Sequence, residues 1–249
     1  MWPDKSHQLR DAAKGGTMKV IGLIGGMSWN STSEYYRIIN ELMAKRLGGL
    51  HSARLIVYSL DFDEVRQAQR QARWDDATDI LSQAGIALKQ AGADFLLIGT
   101  NTMHKVAAAV RERVGLLLID IVDVTANAVI KSGLGTVGLL GSRFVMEEPF
   151  YRGKLEKQFG IKVLVPEEEE QAIVDRIIFD ELCRGKMEAS PRRDCVRIIA
   201  KLVGQGAQGI ILGCTELPLL IQPNDVHIPL FDTTQLHAEA AVNLALAEL

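Results

Sequence analysis

The sequence predicts an α/β protein: two similar parallel-sheet α/β domains related by pseudo-two-fold symmetry, with a site in the cleft between them. Two observations carry this. From Lys19 onward, short β-branched and aliphatic runs alternate with amphipathic stretches of helix length, as in βαβ units. Parallel strands need crossover helices, so the alternation implies a parallel sheet. In addition, landmarks of the first half return later in the same order. Gly22-Leu23-Ile24-Gly25 reappears as Gly138-Leu139-Leu140-Gly141, and Tyr36-Arg37 as Tyr151-Arg152. The segment from Gly92 to Thr100 matches that from Gly206 to Cys214, and Leu118-Ile119-Asp120 matches Leu230-Phe231-Asp232. The offsets are 116, 115, 114 and 112 residues. Chance supplies one such match between glycine-rich strand ends; several in register point to a duplicated domain.

The elements follow in order. Val20 to Ile24 reads as a buried strand, and Ser33 to Leu47 has helical period. Ser31 with Glu34 three residues on has the capping-box spacing and predicts where that helix begins. Arg54 to Ser59 is a second strand, Asp75 to Ala91 a helix closed by Gly92, and Asp94 to Ile98 the strand after it. The expected division is a disordered extension over residues 1–17, a first domain over 18–116 plus 224–249, and a second over 117–223.

Composition narrows the class. The 249 residues carry 28 basic and 31 acidic side chains, for a net charge of −3. That balance disfavours a general nucleic-acid binder, which needs a basic face to displace counterions. Apolar runs such as Leu116 to Ile119 are far too short to span a bilayer. Three cysteines make no paired disulfide framework, and no secretory signal opens the chain, so a cytoplasmic location is expected. By base rate, a soluble assembly of this kind is a homodimer.

The duplication pairs Thr100 with Cys214. Each follows a buried strand and a glycine, at the carboxyl edge where open α/β sheets place ligands. Facing domains would bring the two residues to opposite sides of one cleft. Pro218 suits a first helical turn, so the Cys214 thiol is expected near a helix amino end, where its pKa would fall from about 8.5 towards neutrality; the bland alternative is a small buried hydrophobe. Thr100, Asn101 and Thr102 offer donors and acceptors to a ligand and equally suit a helix cap. His104 reads as a satisfied core histidine or a proton relay behind the site, and Cys183 and Cys195 as packing without zinc spacing. The loop Gly25 to Ser31 has neither dinucleotide nor P-loop spacing; free N–H groups at the helix start would favour an anion such as a carboxylate, although a plain strand-to-helix turn explains it as well. Arg66 could clamp a carboxylate or be a solvated helix charge. The acidic run Glu167 to Glu170 fits a helix start.

Together the Gly-Gly-Met-Ser loop, the Gly-Thr-Asn-Thr segment with His104, and Gly213-Cys214-Thr215-Glu216 make the chain resemble the aspartate/glutamate racemases that work without pyridoxal phosphate. The resemblance runs from about Met18 to the C-terminus. It implies two α/β domains about a cleft, with the C-terminal helix returning to the first. Family members carry a cysteine in each catalytic segment; here the first position is Thr100, as in the subgroup specific for L-aspartate and L-glutamate. The resemblance implies Cys214 as base and Thr100 as donor, with Met27, Ser28, Arg66, Asn101, Thr102, Ser142 and Thr215 binding an acidic amino acid, no cofactor and no metal. A lysine that some members use falls at Cys183, leaving Arg184 as a neighbouring cation. The alternatives are a one-cysteine decarboxylase of a dicarboxylic acid and a binding protein without chemistry.

Overall fold

A computed structural model describes residues 17–185 and 189–247. All of the expected extension except Thr17 lies outside the described residues. Two four-stranded parallel sheets carry the fold. The first contains β1 (Ile21–Gly25), β2 (Leu55–Ser59), β3 (Phe95–Ile98) and β4 (Leu117–Leu118) in the order β2-β1-β3-β4. The second contains β5 (Thr136–Gly141), β6 (Lys162–Leu164), β7 (Ile210–Gly213) and β8 (Leu230–Asp232) in the order β6-β5-β7-β8. The repeated strand order is the duplication seen in the sequence. Strand pairing keeps the chain in the first sheet to Leu118 and in the second to Asp232, beyond the divisions expected at 116 and 223.

Both central strands of the first sheet, β1 and β3, are buried on both faces. Leu96 and Ile98 of β3 face one core and Phe95 and Leu97 the other, as period-two alternation dictates. One core of the first sheet packs under α1 (Trp29–Leu47) and the C-terminal helix α11 (Thr233–Ala245). The other packs under α2 (Phe62–Arg70), α3 (Trp74–Gln90) and α4 (Ala107–Val114). Helix α11 thus follows a strand of the second sheet and returns to the first domain, where Ala238, Ala241 and Val242 are fully buried. The second sheet is covered by α5 (Ile121–Lys131), α6 (Arg143–Glu147), α7 (Arg152–Phe159), α8 (Glu168–Arg176) and α9 (Ala189–Gly204). Glu168, Glu169 and Glu170 occupy the first turn of α8, where they complement the helix dipole.

One expected start is corrected. Helix α1 begins at Trp29, and Ser28 is its N-cap, its side chain accepting from the Ser31 N–H at 3.4 Å. Ser31 therefore lies inside the first turn, and its hydroxyl donates to the Gly99 carbonyl at 3.2 Å. Glu34 turns to Arg37 instead of closing a capping box. Among the described residues no helix is long and apolar enough to cross a membrane.

Candidate active site

The carboxyl ends of the two sheets meet in one cavity of about 400 Å³, including its open mouth. The residue after β3 and its glycine is Thr100; the residue after β7 is Cys214. Both line the cavity, with Met27, Asn101, Thr102, Ser142 and Thr215. Equivalent strands of equivalent sheets thus deliver a hydroxyl and a thiol to one space, and Thr102 Oγ1 reaches Ser142 Oγ across it at 3.0 Å.

The backbone beneath these groups is fixed. Gly99 N–H donates to the Ile24 carbonyl at 2.8 Å and Thr100 N–H to the Ile98 carbonyl at 2.8 Å. His104 is buried, and its Nδ1–H donates to the Thr100 carbonyl at 2.8 Å. A carbonyl only accepts, so this bond sets the His104 tautomer and pins the main chain carrying the hydroxyl. The Asn101 amide donates to Thr233 Oγ1 at 3.0 Å, while its buried Oδ1 has no partner.

Cys214 departs from expectation. Its thiol is pushed well above its ordinary value, first by burial and then by the neighbouring Glu216 carboxylate. Helix α10 (Leu217–Leu220) has only four residues, too short to offset these effects. Cys214 Sγ donates to Glu216 Oε2 at 3.2 Å. Thr215 Oγ1 donates to the same oxygen at 2.6 Å.

Three further expectations change. Cys183 lines the cavity and donates to Glu216 Oε1 at 3.7 Å, so packing is not its whole role. A π-helical turn at Ile177–Glu181 precedes the 3₁₀ turn Leu182–Arg184, and this broken helix carries Cys183 to the cavity wall. Arg184 is exposed, pairs with Asp180 at 3.6 Å and does not line the cavity. Ser28 also lies outside the lining, and its N–H donates to the Gly26 carbonyl at 2.9 Å, leaving it unavailable to a carboxylate.

Arg66 stands behind the wall. Its guanidinium stacks on Phe179 with Cζ 3.4 Å from the ring centroid, and Nη1 reaches Gln69 Oε1 at 3.5 Å. Phe179 and Gln69 both line the cavity. Burial, then Arg70, lowers the Arg66 pKa. Cys195 sits in the core of the second domain, where burial raises its thiol to about 12.

Sequence reading overlooked Phe62, Gln69, Ile178, Phe179 and Glu216. Phe62, Arg66 and Gln69 recur at i, i+4 and i+7, so helical spacing could have grouped them on one face. Glu216 stands two residues after the motif cysteine and was readable as part of the same segment. Ile178 and Phe179 come from the other domain, and no local signal announces them. Among the described residues no group of three or more His, Cys, Asp or Glu is placed to hold a metal.

The profile of the Asp/Glu/hydantoin racemase family matches residues 24–241. Among solved structures, a candidate Asp/Glu racemase from Yersinia pestis is 49% identical, with a TM-score of 0.86 over 92% of this chain and 100% of that one. An aspartate racemase homologue from Pyrococcus horikoshii OT3 is 37% identical, with a TM-score of 0.80 over 92% of this chain and 99% of that one. The broad specificity amino-acid racemase RacX of Bacillus subtilis is 22% identical over 231 residues, 92% of this chain and 99% of its own length. With two duplicated sheets, a shared cavity at their carboxyl edges and a family match over most of its length, the chain belongs to the Asp/Glu/hydantoin racemases and is an isomerase.

Proposed function

We propose that the protein racemises an acidic amino acid, L-aspartate or L-glutamate, by two-sided proton transfer without pyridoxal phosphate. The observation that carries this is the cavity lined by Thr100 and Cys214 from equivalent strand ends. Inversion needs an acid–base group on each face of the α-carbon, since a single group returns the proton with retention. Cys214, as thiolate, removes the α-proton from one face, and the Thr100 hydroxyl delivers a proton to the other. A threonine hydroxyl does not ionise near neutral pH, so the alkoxide it leaves is reprotonated by water. The asymmetry matches the Thr/Cys subgroup and predicts faster turnover from the L-enantiomer, within the fixed equilibrium between enantiomers.

Asn101, Thr102, Ser142 and Thr215, with the Met27 backbone, offer neutral donors and acceptors to the substrate carboxylate and ammonium. Hydrogen bonds aimed at the carboxylate are the means of holding charge as the carbanion develops. The unpartnered Asn101 Oδ1 is an acceptor suited to the ammonium. Arg66, stacked on the lining residue Phe179, offers a cation to a side-chain carboxylate. A reducing cytoplasm suits an enzyme whose thiol must stay free.

Proton NMR of L-aspartate and L-glutamate in deuterium oxide tests the reading. The wild type is expected to erase the α-proton signal and produce the D-enantiomer, and Cys214→Ala to do neither. A product carrying no deuterium at the α-carbon refutes it.

A further inference from the structure

Glu216 has no part in the proton transfers described so far. It is 2% exposed, yet among the described residues that line the cavity there is no lysine, arginine or histidine to meet its carboxylate. Its partners are donors of another kind. Cys214 Sγ and Thr215 Oγ1 donate to Oε2 at 3.2 and 2.6 Å, and Cys183 Sγ donates to Oε1 at 3.7 Å. A buried carboxylate is ordinarily paired with a cation. One set between two thiols and a hydroxyl is arranged to take up a proton.

We propose that Glu216 accepts the Cys214 thiol proton to generate the thiolate, and that Cys183 positions it by holding Oε1 so that Oε2 faces Cys214. The proposal rests on the racemase reading and names the residues that arm its base. In the step the Sγ–H bond breaks, its electron pair stays on sulfur, and an Oε2–H bond forms. One negative charge moves between two atoms 3.2 Å apart in a part-buried pair, so the site's total charge is unchanged. Losing the thiol proton to water would instead place two negative charges at that separation, the cost that holds the thiol protonated in the resting site. The thiolate next takes the α-proton, and Thr100 gives its own to the opposite face. Water reprotonates the Thr100 alkoxide, and the Glu216 carboxyl returns its proton to water, which closes the cycle.

The test uses the full chain and two readouts: alkylation of Cys214 by iodoacetamide near neutral pH, followed by mass spectrometry of its peptide, and α-deuteration of L-aspartate. Glu216→Gln keeps the shape of the side chain but removes the proton acceptor. Slower alkylation and a drop in deuteration of about 100-fold or more are expected. If Glu216 merely suppressed the thiolate by its charge, Glu216→Gln would alkylate faster than wild type, and that result overturns the proposal. Cys183→Ala is expected to slow alkylation of Cys214 and Cys183→Ser to restore it; equal rates in both variants and wild type remove Cys183 from the scheme. Wild-type protein that alkylates as expected but never deuterates substrate refutes the racemase reading while leaving the Glu216–Cys214 pair intact.

Discussion

The guanidinium of Arg66, on a helix of the first domain, lies face-on over the Phe179 ring of the second, with Cζ 3.4 Å from its centroid. The contact closes one wall of the cavity, since Phe179 and Gln69 line it and Arg66 touches both. Stacking on an aromatic face keeps a half-buried cation satisfied without a carboxylate. It therefore leaves the charge available to an incoming acid.

Arg66→Leu removes that charge. It is expected to raise KM for L-aspartate by about 10- to 100-fold, the range for a lost charged hydrogen bond, with a smaller change in kcat. Steady-state kinetics on the acid and on its uncharged amide analogue check this. An equal loss on both substrates would mean that Arg66 serves the wall and not the carboxylate.

Thr100→Val separates exchange from inversion. The variant keeps a side chain of similar volume in the cavity but has no proton to deliver. Racemisation should fall by about 100-fold or more. Cys214 still exchanges the α-proton of the L-substrate, so deuterium should enter with configuration retained. Chiral chromatography combined with proton NMR reads both. Loss of exchange to the same extent as racemisation would show that the two residues do not act on opposite faces.

Gly26→Ala tests the turn that sets β1 against the start of α2. Gly26 has φ +87°, and a Cβ there would stand 2.1 Å from the Leu60 carbonyl oxygen and 2.3 Å from the Leu60 nitrogen. Neither atom is the end of a flexible side chain. Left-handed strain and backbone overlap together should cost at least about 2 kcal/mol in urea denaturation.

Two buried histidines predict how stability follows pH. His237 accepts from the Tyr35 hydroxyl at Nδ1 (2.8 Å) and donates from Nε2 to the Ile119 carbonyl (2.9 Å). Burial, then His104, lowers its pKa from 6.5 to about 3, and burial lowers that of His104. Below about pH 6.5 the unfolded chain gains protons at these positions that the folded chain refuses. Their contribution is therefore fully present above that pH and is lost as pH falls towards 3. Melting temperatures should decline from neutral pH into the mildly acidic range. His237→Gln, whatever its absolute stability, should show a shallower decline over that interval.

The alternation of strand and helix runs and the repeated glycine-bounded segments were enough to read two parallel α/β domains, because burial on both faces and crossover connections leave few other arrangements. That Thr100 and Cys214 would line one cavity was equally legible, since duplicated strands end at equivalent edges. Local rules failed where two local partners competed. Ser28, not Ser31, caps α1, because the Ser31 hydroxyl is drawn to the Gly99 carbonyl of a neighbouring strand.

What only the tertiary structure decided is the state of the groups in the cleft. Cys214 follows its strand as the motif implies, yet burial and a carboxylate 3.2 Å away, not a helix terminus, govern its proton. Cys183 reaches the same carboxylate through a broken helix, and Arg66 finds an aromatic ring more than a hundred residues away in sequence. Sequence pattern fixes which strand ends meet, because periodicity and repetition are properties of the chain. Protonation and charge pairing depend on distance and on exclusion of water, and those exist only once the two domains are packed together.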